Sequence, residues 1–421
     1  YRAYPAYKDS GVEWIGQVPE HWKVARVKRL ASLRNERRND VSTDTIYIGL
    51  EDVEAGSGQY KPTNGSSRQS EDSTVGIFYE GDVLYGKLRP YLRKAIISEM
   101  AGCCSTEFLV LRAEKTEPRW LQEWLLTPDV THQIVSGCEG AKMPRADWGH
   151  IGSIEVVYPD QPEQAKILTS LDRETARIDA LIEKKTRFIE LLNEKRQALI
   201  THAVTKGLDP NVKMKDSGIE WIGQVPEHWK VARVKRLASL RNERRNDVST
   251  DTIYIGLEDV EAGSGQYKPT NGSSRQSEDS TVGIFYEGDV LYGKLRPYLR
   301  KAIISEMAGC CSTEFLVLRA EKTEPRWLQE WLLTPDVTHQ IVSGCEGAKM
   351  PRADWGHIGS IEVVYPDQPE QAKILTSLDR ETARIDALIS KAEQSITLLK
   401  ERRAAFITAA VTGQIDLRGK Q

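Results

Sequence analysis

What this chain lacks narrows its chemistry before any motif is considered. No apolar run approaches the ~18 residues needed to cross a bilayer. Tyr1 to Lys8 also carries no basic-then-apolar leader, so a cytoplasmic address and no membrane partner are expected. Charge of one sign is scarce. The formal net charge is −3 and the pI about 6.3, which weighs against a protein that coats nucleic acid. There is no G-x-x-x-x-G-K-[ST] for ATP, no G-x-G-x-x-G after a strand and no G-x-S-x-G elbow. The Asn-Pro-Pro-Tyr or Asp-Pro-Pro-Tyr string that an adenine methyltransferase needs is missing too. His21, His132 and His150 stand apart with no partner spacing, so a triad or metal site is not expected from them.

What is present is repetition. Lys8 to Ile182 recurs as Lys215 to Ile389, offset by 207, and the single difference is Val12 against Ile219. Such a unit lies far outside the 20–50-residue periods of solenoids and propellers, so the chain holds two whole domains of one kind. Cysteine follows the repeat, as Cys103, Cys104 and Cys138 and then Cys310, Cys311 and Cys345. Their even number therefore reflects duplication rather than a disulfide framework. Adjacent Cys-Cys is also poor zinc spacing, so buried reduced thiols and no metal are expected.

Each copy divides in two. Residues 15–160 carry short β-like runs at Thr45–Leu50, Asp82–Tyr85, Ala95–Ile97, Phe108–Leu111 and Ile154–Tyr158. A helical region from Pro118 to Gln133, broken near Pro128, interrupts them and makes the domain α+β. After Asp160 the pattern changes. Asp160 suits an N-cap, Pro162 the first turn and Glu163 the helix start, and no Gly or Pro follows until Gly207. The spacing predicts a helix of about 42 residues, ~63 Å at 1.5 Å per residue.

Its seam runs Leu168, Leu171, Thr175, Ile178, Ile182, Lys185, Ile189, Leu192, Arg196, Leu199, Ala203. The C-terminal copy keeps it as Leu375, Leu378, Thr382, Ile385, Ile389, Ala392, Ile396, Leu399, Arg403, Phe406, Ala410, although the two helices diverge after Ile182. That is a coiled-coil pattern, and the partner nearest to hand is the other helix. The alternative, two helices lying each on its own domain, leaves a helix of ~63 Å overhanging a body about 15 Å in radius of gyration. The expected fold class is therefore α+β: two globular α/β domains joined by two long helices in an antiparallel, pseudo-two-fold coiled coil. The expected divisions are 1–160, 161–207, 208–367 and 368–421. Antiparallel pairing would fit identical heads to an inverted repeat on a duplex, whereas parallel pairing would not.

Basic residues cluster despite the neutral total. Lys23 to Arg38 holds seven against one acid, Glu36. Tyr85-Gly-Lys-Leu-Arg-Pro-Tyr-Leu-Arg-Lys94 sets cations among aromatic rings after a strand, and Gly140-Ala-Lys-Met-Pro-Arg145 is a basic loop. Phosphate contacts are expected at Arg34, Arg37, Arg38, Lys87, Arg89, Arg93, Lys142 and Arg145. Their copies are Arg241, Arg244, Arg245, Lys294, Arg296, Arg300, Lys349 and Arg352. A solvated positive surface explains the same residues. In the polar stretch from Ser57 to Gln69, base edges are expected at Tyr60, Asn64, Arg68 and Gln69, with Tyr267, Asn271, Arg275 and Gln276.

Several strings resemble the specificity (S) subunits of type I restriction–modification systems. They are Lys8-Asp-Ser-Gly-Val-Glu-Trp-Ile-Gly-Gln-Val-Pro-Glu-His-Trp22, Tyr47-Ile-Gly-Leu-Glu-Asp52, Tyr85-Gly-Lys-Leu-Arg-Pro90, Cys104-Ser-Thr-Glu-Phe108 and Gly140-Ala-Lys-Met-Pro-Arg145. The helix end from Glu401 to Gly413 joins them. The resemblance implies a non-catalytic, sequence-specific DNA-binding subunit with two target-recognition domains, each reading half of a bipartite target. It implies long helices that set the spacer and dock two modification (methyltransferase) subunits. No cofactor would be bound by this chain. S-adenosylmethionine would sit in the methyltransferase partner, and ATP and Mg²⁺ in the restriction subunits. Relatives commonly pair two different heads; identical heads imply a palindromic target. Two rival readings are a self-contained nuclease or methyltransferase and a coiled-coil protein-interaction adaptor.

Overall fold

The computed structural model describes residues 1–421 except 64–72, 139, 141, 271–279, 346, 348 and 420–421. Two compact units form, one from Tyr1–Thr186 with Gln394–Gln421, the other from Arg187–Glu393.

In the first unit β1 (Tyr7–Asp9) and β2 (Gln17–Pro19) make an antiparallel pair. Then come β3 (Lys23–Arg26), the single turn α1 (Val27–Leu30), β4 (Ala31–Leu33), β5 (Arg37–Arg38) and β6 (Tyr47–Ile48). β7 (Val75–Phe78), β8 (Val83–Gly86), β9 (Ala95–Ile97), β10 (Gly102–Cys104) and β11 (Phe108–Ala113) complete two four-stranded sheets. One sheet, β4-β11-β8-β9, is antiparallel throughout; the other, β5-β7-β10-β6, has β10 and β6 parallel. The chain continues through α2 (Pro118–Leu126), α3 (Pro128–Ser136), α4 (Trp148–Ser153), β12 (Glu155–Tyr158), which pairs with β3, and α5 (Gln161–Lys206).

The continuous apolar runs of β8, β9 and β11 arise because their sheet is covered on both faces. Phe108, Val110, Leu84 and Ile96 point at the second sheet and meet Phe78, Ile48 and Cys104. Their neighbours Leu109, Leu111, Val83, Tyr85 and Ala95 point the other way, toward Trp22, Trp120 and Trp124. Helices α2 and α3 divide where Pro128 removes a donor, and Thr127 Oγ1 donates to the Trp124 carbonyl at 2.8 Å. At the start of α5 the Glu163 N–H donates to Asp160 Oδ1 at 2.9 Å, the expected cap. His21 is spent on Glu163 at 2.8 Å and His150 on the Gln133 carbonyl at 2.7 Å.

The second unit repeats this succession as β13–β24 and α6–α9, from Met214–Asp216 through Glu362–Tyr365, with the same sheet orders, and runs into α10 (Gln368–Val411). Each core is closed by the end of the helix that began in the other unit. Ala410, Val411 and Leu417 pack with Trp22 and Leu171 in the first; Ile200, Ala203 and Val204 pack with Trp229 and Leu378 in the second.

Within each unit the helix segments run antiparallel. In the first, Arg403 Nε donates to Asp179 Oδ1 at 2.8 Å, while beyond the end of α10 Leu417 O accepts from Ser170, earlier on α5. In the second, Arg196 donates to Asp386 at 2.9 Å, and the earlier Asn193 lines a cleft with the later Ser390 and Glu393. The polar seam residues Thr175, Arg196, Thr382 and Arg403 thus have partners. The arginines cross to aspartates, and the hydroxyls of buried Thr175 and Thr382 donate back to Asp172 O and Leu378 O.

Both helices stop at a glycine. Gly207 (φ +75°) and Gly413 (φ +80°) are left-handed, and a Cβ at Gly413 would lie 2.3 Å from Pro19 Cδ. Beyond Gly413 the first unit is sewn shut by hydrogen bonds. Tyr7 Oη donates to Gly413 O at 2.9 Å, Gln414 Nε2 to Gln17 O at 3.1 Å, and Arg418 pairs with Glu163 at 3.2 Å.

All six cysteines remain thiols. Cys103, Cys104, Cys310 and Cys311 are buried, whereas Cys138 and Cys345 are half-buried. Burial pushes Cys104 and Cys311 up to about 12, which suppresses the reactive thiolate. Ellman's reagent at pH 8 is therefore expected to titrate at most two thiols in the native protein and six in guanidinium. Rapid native reaction of four or more would contradict this packing.

Candidate nucleic-acid interface

The two basic strings, some fifty residues apart in sequence, lie side by side. The loop at Pro144–Ala146 runs along Lys87–Arg89. Arg89 N–H donates to Pro144 O at 2.8 Å, Ala146 N–H to Lys87 O at 2.8 Å, and Leu88 bridges to Arg145. Arg89 reaches the Met143 thioether at 3.0 Å. Lys87 N–H donates to the carbonyl of Glu107, whose carboxylate holds Arg145 at 3.0 Å and the guanidinium above its ordinary range. Three of the strings that carry the family resemblance therefore meet at one place, and Lys142, Arg89, Tyr91 and Arg145 are exposed there.

The backbone of this place is strained. Among the described residues, the non-glycines with positive φ are Arg89, Arg93, Arg296 and Arg300, all near +52°. Arg89 and Arg93 flank the 3-10 turn Pro90–Leu92, which is closed by Arg93 N–H donating to Pro90 O at 2.9 Å. Left-handed arginines cost on the order of 1–3 kcal/mol each, and such strain concentrates at functional sites.

The expected phosphate residues separate by their partners. Arg37 and Arg38 lie on the exposed edge strand β5, with Glu36 3.7 Å from Arg38. Arg34 is different. It donates to both oxygens of Asp82 at 2.8 and 3.2 Å, and its guanidinium lies 4.6 Å from the Tyr79 ring centroid. The Asp82 carboxylate, 3% exposed, raises the Arg34 pKa. Arg241 does the same with Asp289, so the phosphate set proposed below omits both. Arg93 is turned inward too, donating to Leu126 O at 3.0 Å. Glu107 and Tyr91, which residue types alone did not single out, belong to the site; the signal for Tyr91 was an aromatic ring between two arginines.

Of the expected base readers, Tyr60 is exposed and bridges to Val53, and Tyr267 to Val260. The root of their loop is pinned by Gln122, which donates to Gly58 O at 3.2 Å and Ala95 O at 2.9 Å. Asn64, Arg68, Gln69, Asn271, Arg275 and Gln276 lie outside the described residues.

Replacing Arg34 by Ala leaves a buried carboxylate without its cation. The expected loss is about 3 kcal/mol of stability in urea unfolding, with the salt dependence of DNA binding unchanged. A variant as stable as the parent would return Arg34 to the phosphate set.

No family model matches the chain. Over 346 residues it is 21% identical to the type I restriction enzyme EcoDI specificity subunit of Escherichia coli, spanning 78% of this chain and 74% of that protein. Its fold is similar to a chain in a solved structure on complex assembly and conformational transition of the type I R-M system. There the TM-score is 0.68 at 16% identity, covering 94% of this chain and 99% of that one. Alignment with the HsdS subunit from Thermoanaerobacter tengcongensis gives 18% identity and a TM-score of 0.47 over 94% and 98% of the two chains. With duplicated heads, two long helices and a curated relative along three quarters of its length, the chain is similar to the specificity subunits of type I restriction–modification systems.

Proposed function

We propose that this chain reads a palindromic, bipartite site on double-stranded DNA, one half per head, and leaves the chemistry to its partners. The observation that carries this is the strained turn at Arg89, exposed among Lys87, Lys142 and Arg145 and repeated at Arg296. Identical heads need identical half-sites. Inverted half-sites suit antiparallel pairing of the long helix segments, and each unit by itself carries such a pairing, through Arg403 and Asp179 in one and Arg196 and Asp386 in the other. Phosphate contacts would come from Arg37, Arg38, Lys87, Arg89, Lys142 and Arg145 and their copies, and base contacts from the loop that starts at Tyr60.

In the same reading, the helices dock two modification subunits and fix the gap between half-sites. S-adenosylmethionine is then held by those subunits, and ATP and Mg²⁺ by restriction subunits. Phosphate contacts release counterions, with a slope of about −0.9 per contact on duplex DNA. The double variant Arg89→Ala plus Arg296→Ala is thus expected to weaken binding to every sequence and to flatten the salt slope by about 2. Selection from a random duplex pool, with modification subunits present, is expected to return inverted repeats of fixed spacing. Equal retention of random and inverted-repeat duplexes would favour the adaptor reading instead. Methylation or cleavage by the purified chain alone would favour the enzyme.

A further inference from the structure

From Lys8 and from Lys215 the heads differ in sequence only at Val12 against Ile219, so a difference in how they are seated enters mainly from outside the repeat, above all through stem residues 183–206 and 390–421. It enters at Arg93 and Arg300. In both heads this left-handed residue links three parts. Its carbonyl accepts from the N–H of Gly56 or Gly263 at 2.8 Å, at the root of the loop carrying Tyr60 or Tyr267. Its N–H closes the turn that carries Arg89 or Arg296. Its guanidinium donates to the end of α2 at Leu126 O, or of its copy Pro325–Leu333 at Leu333 O, 3.0 Å in each. A Cβ on Gly56 or Gly263 would lie 2.9 Å from that guanidinium, so glycine is what lets the arginine through.

The fourth connection differs. In the second head, Arg300 Nη1 also donates to Gln197 Oε1 of α5 at 3.1 Å. In the first head the equivalent stem residue is Ala404, which has no side-chain acceptor, and Lys400 stands where the second head has Asn193. Lys400 is a like charge to the guanidinium, and its field helps hold the Glu54 carboxyl below its ordinary range, behind the Ser57 and Lys61 hydrogen bonds. The cleft at this seam is about 610 Å³ in the first head and about 450 Å³ in the second.

We propose that Arg93 and Arg300 are positioning residues that pass the stem's hold to the DNA-contact turn, and that Gln197 engages this link in the second head while Ala404 leaves it open in the first. The two identical heads therefore hold identical half-sites unequally. The DNA part of this inference rests on the function proposed above; the difference in hold does not. A preorganised contact loses less on binding, so the second head is the stronger one.

Hydrogen exchange on the full chain tests the hold directly, because peptides from the two heads have the same mass. Peptides spanning 53–60 with 260–267, and 86–95 with 293–302, are expected to show two isotopic envelopes of equal area. Their protection should differ roughly fivefold, the worth of one hydrogen bond. Gln197→Ala merges them at the faster position, Gln197→Glu keeps them apart, and Ala404→Gln merges them at the slower one. A single envelope in the parent, or two that Gln197→Ala leaves unchanged, overturns the proposal.

On an inverted-repeat duplex selected with the modification subunits, Arg296→Ala is expected to lose roughly fivefold more affinity than Arg89→Ala, a gap that closes once Gln197→Ala is added. Equal losses in the parent background overturn the unequal reading of half-sites. Absence of any sequence preference in the parent would instead overturn the DNA reading, and two envelopes would then still assign the link to Gln197.

Discussion

Neither head owns all of its core. Trp22 and Trp120 share a core with Ala410, Val411 and Leu417, and Trp229 and Trp327 with Ile200, Ala203 and Val204, all from the far end of the other head's helix except Leu417, which lies just beyond it. A fully buried valine, leucine or isoleucine contributes about 1.5–3 kcal/mol, so these few side chains outweigh the ion pairs along the stem. Arg403–Asp179 and Arg196–Asp386 leave their aspartates about 40% exposed and contribute no more than about 1 kcal/mol each. Their value is register. A slip of one residue would turn both arginines off the seam and leave the aspartates unpaired. This also explains how the helices can diverge after Ile182 and Ile389, since only the seam and the Ala-Val end are constrained.

The second constraint is local strain. Arg89 and Arg93 adopt a backbone that glycine would adopt at no cost, yet both copies keep arginine. Pro90 disfavours the right-handed helical region for the residue before it, and the hydrogen bonds to Pro144 O, Pro90 O and Gly56 N hold the turn. A glycine would relieve the strain and delete the guanidinium. Retaining the side chain at this cost is intelligible where the guanidinium is the point of the turn, facing solvent at Arg89 and bracing the head at Arg93.

Much of the fold was legible because its signals are local. Ala95–Ile97 is a strand as the run predicts, Pro128 divides the two short helices, and Asp160 and Gly207 bound the long one. Strands β7 and β10 were not legible. Gly76 and Gly102 lower strand propensity; Gly102 is there because a Cβ would meet Phe78 and the Ile46 carbonyl at 2.8 Å. The site was legible as a set of basic strings but not in its division of labour. Arg34 and Arg37 look alike in sequence, and what separates them is Asp82, 48 residues away. Arg93 is defined by Leu126, and its copy Arg300 by Gln197 on a helix that precedes the second head altogether.

That last dependence follows from the swapped ends. Because each head is finished by a helix from elsewhere in the chain, identity of head sequence does not carry identity of surroundings. The second head receives its closing segment through the covalent run Lys206–Met214. The first receives it through Tyr7, Gln17 and Glu163 gripping Gly413 to Arg418. Changes in the stem can therefore retune one head's seat without touching the residues that both heads share. The divergent halves of the two helices are where such tuning has room, because only their seam positions are held by packing.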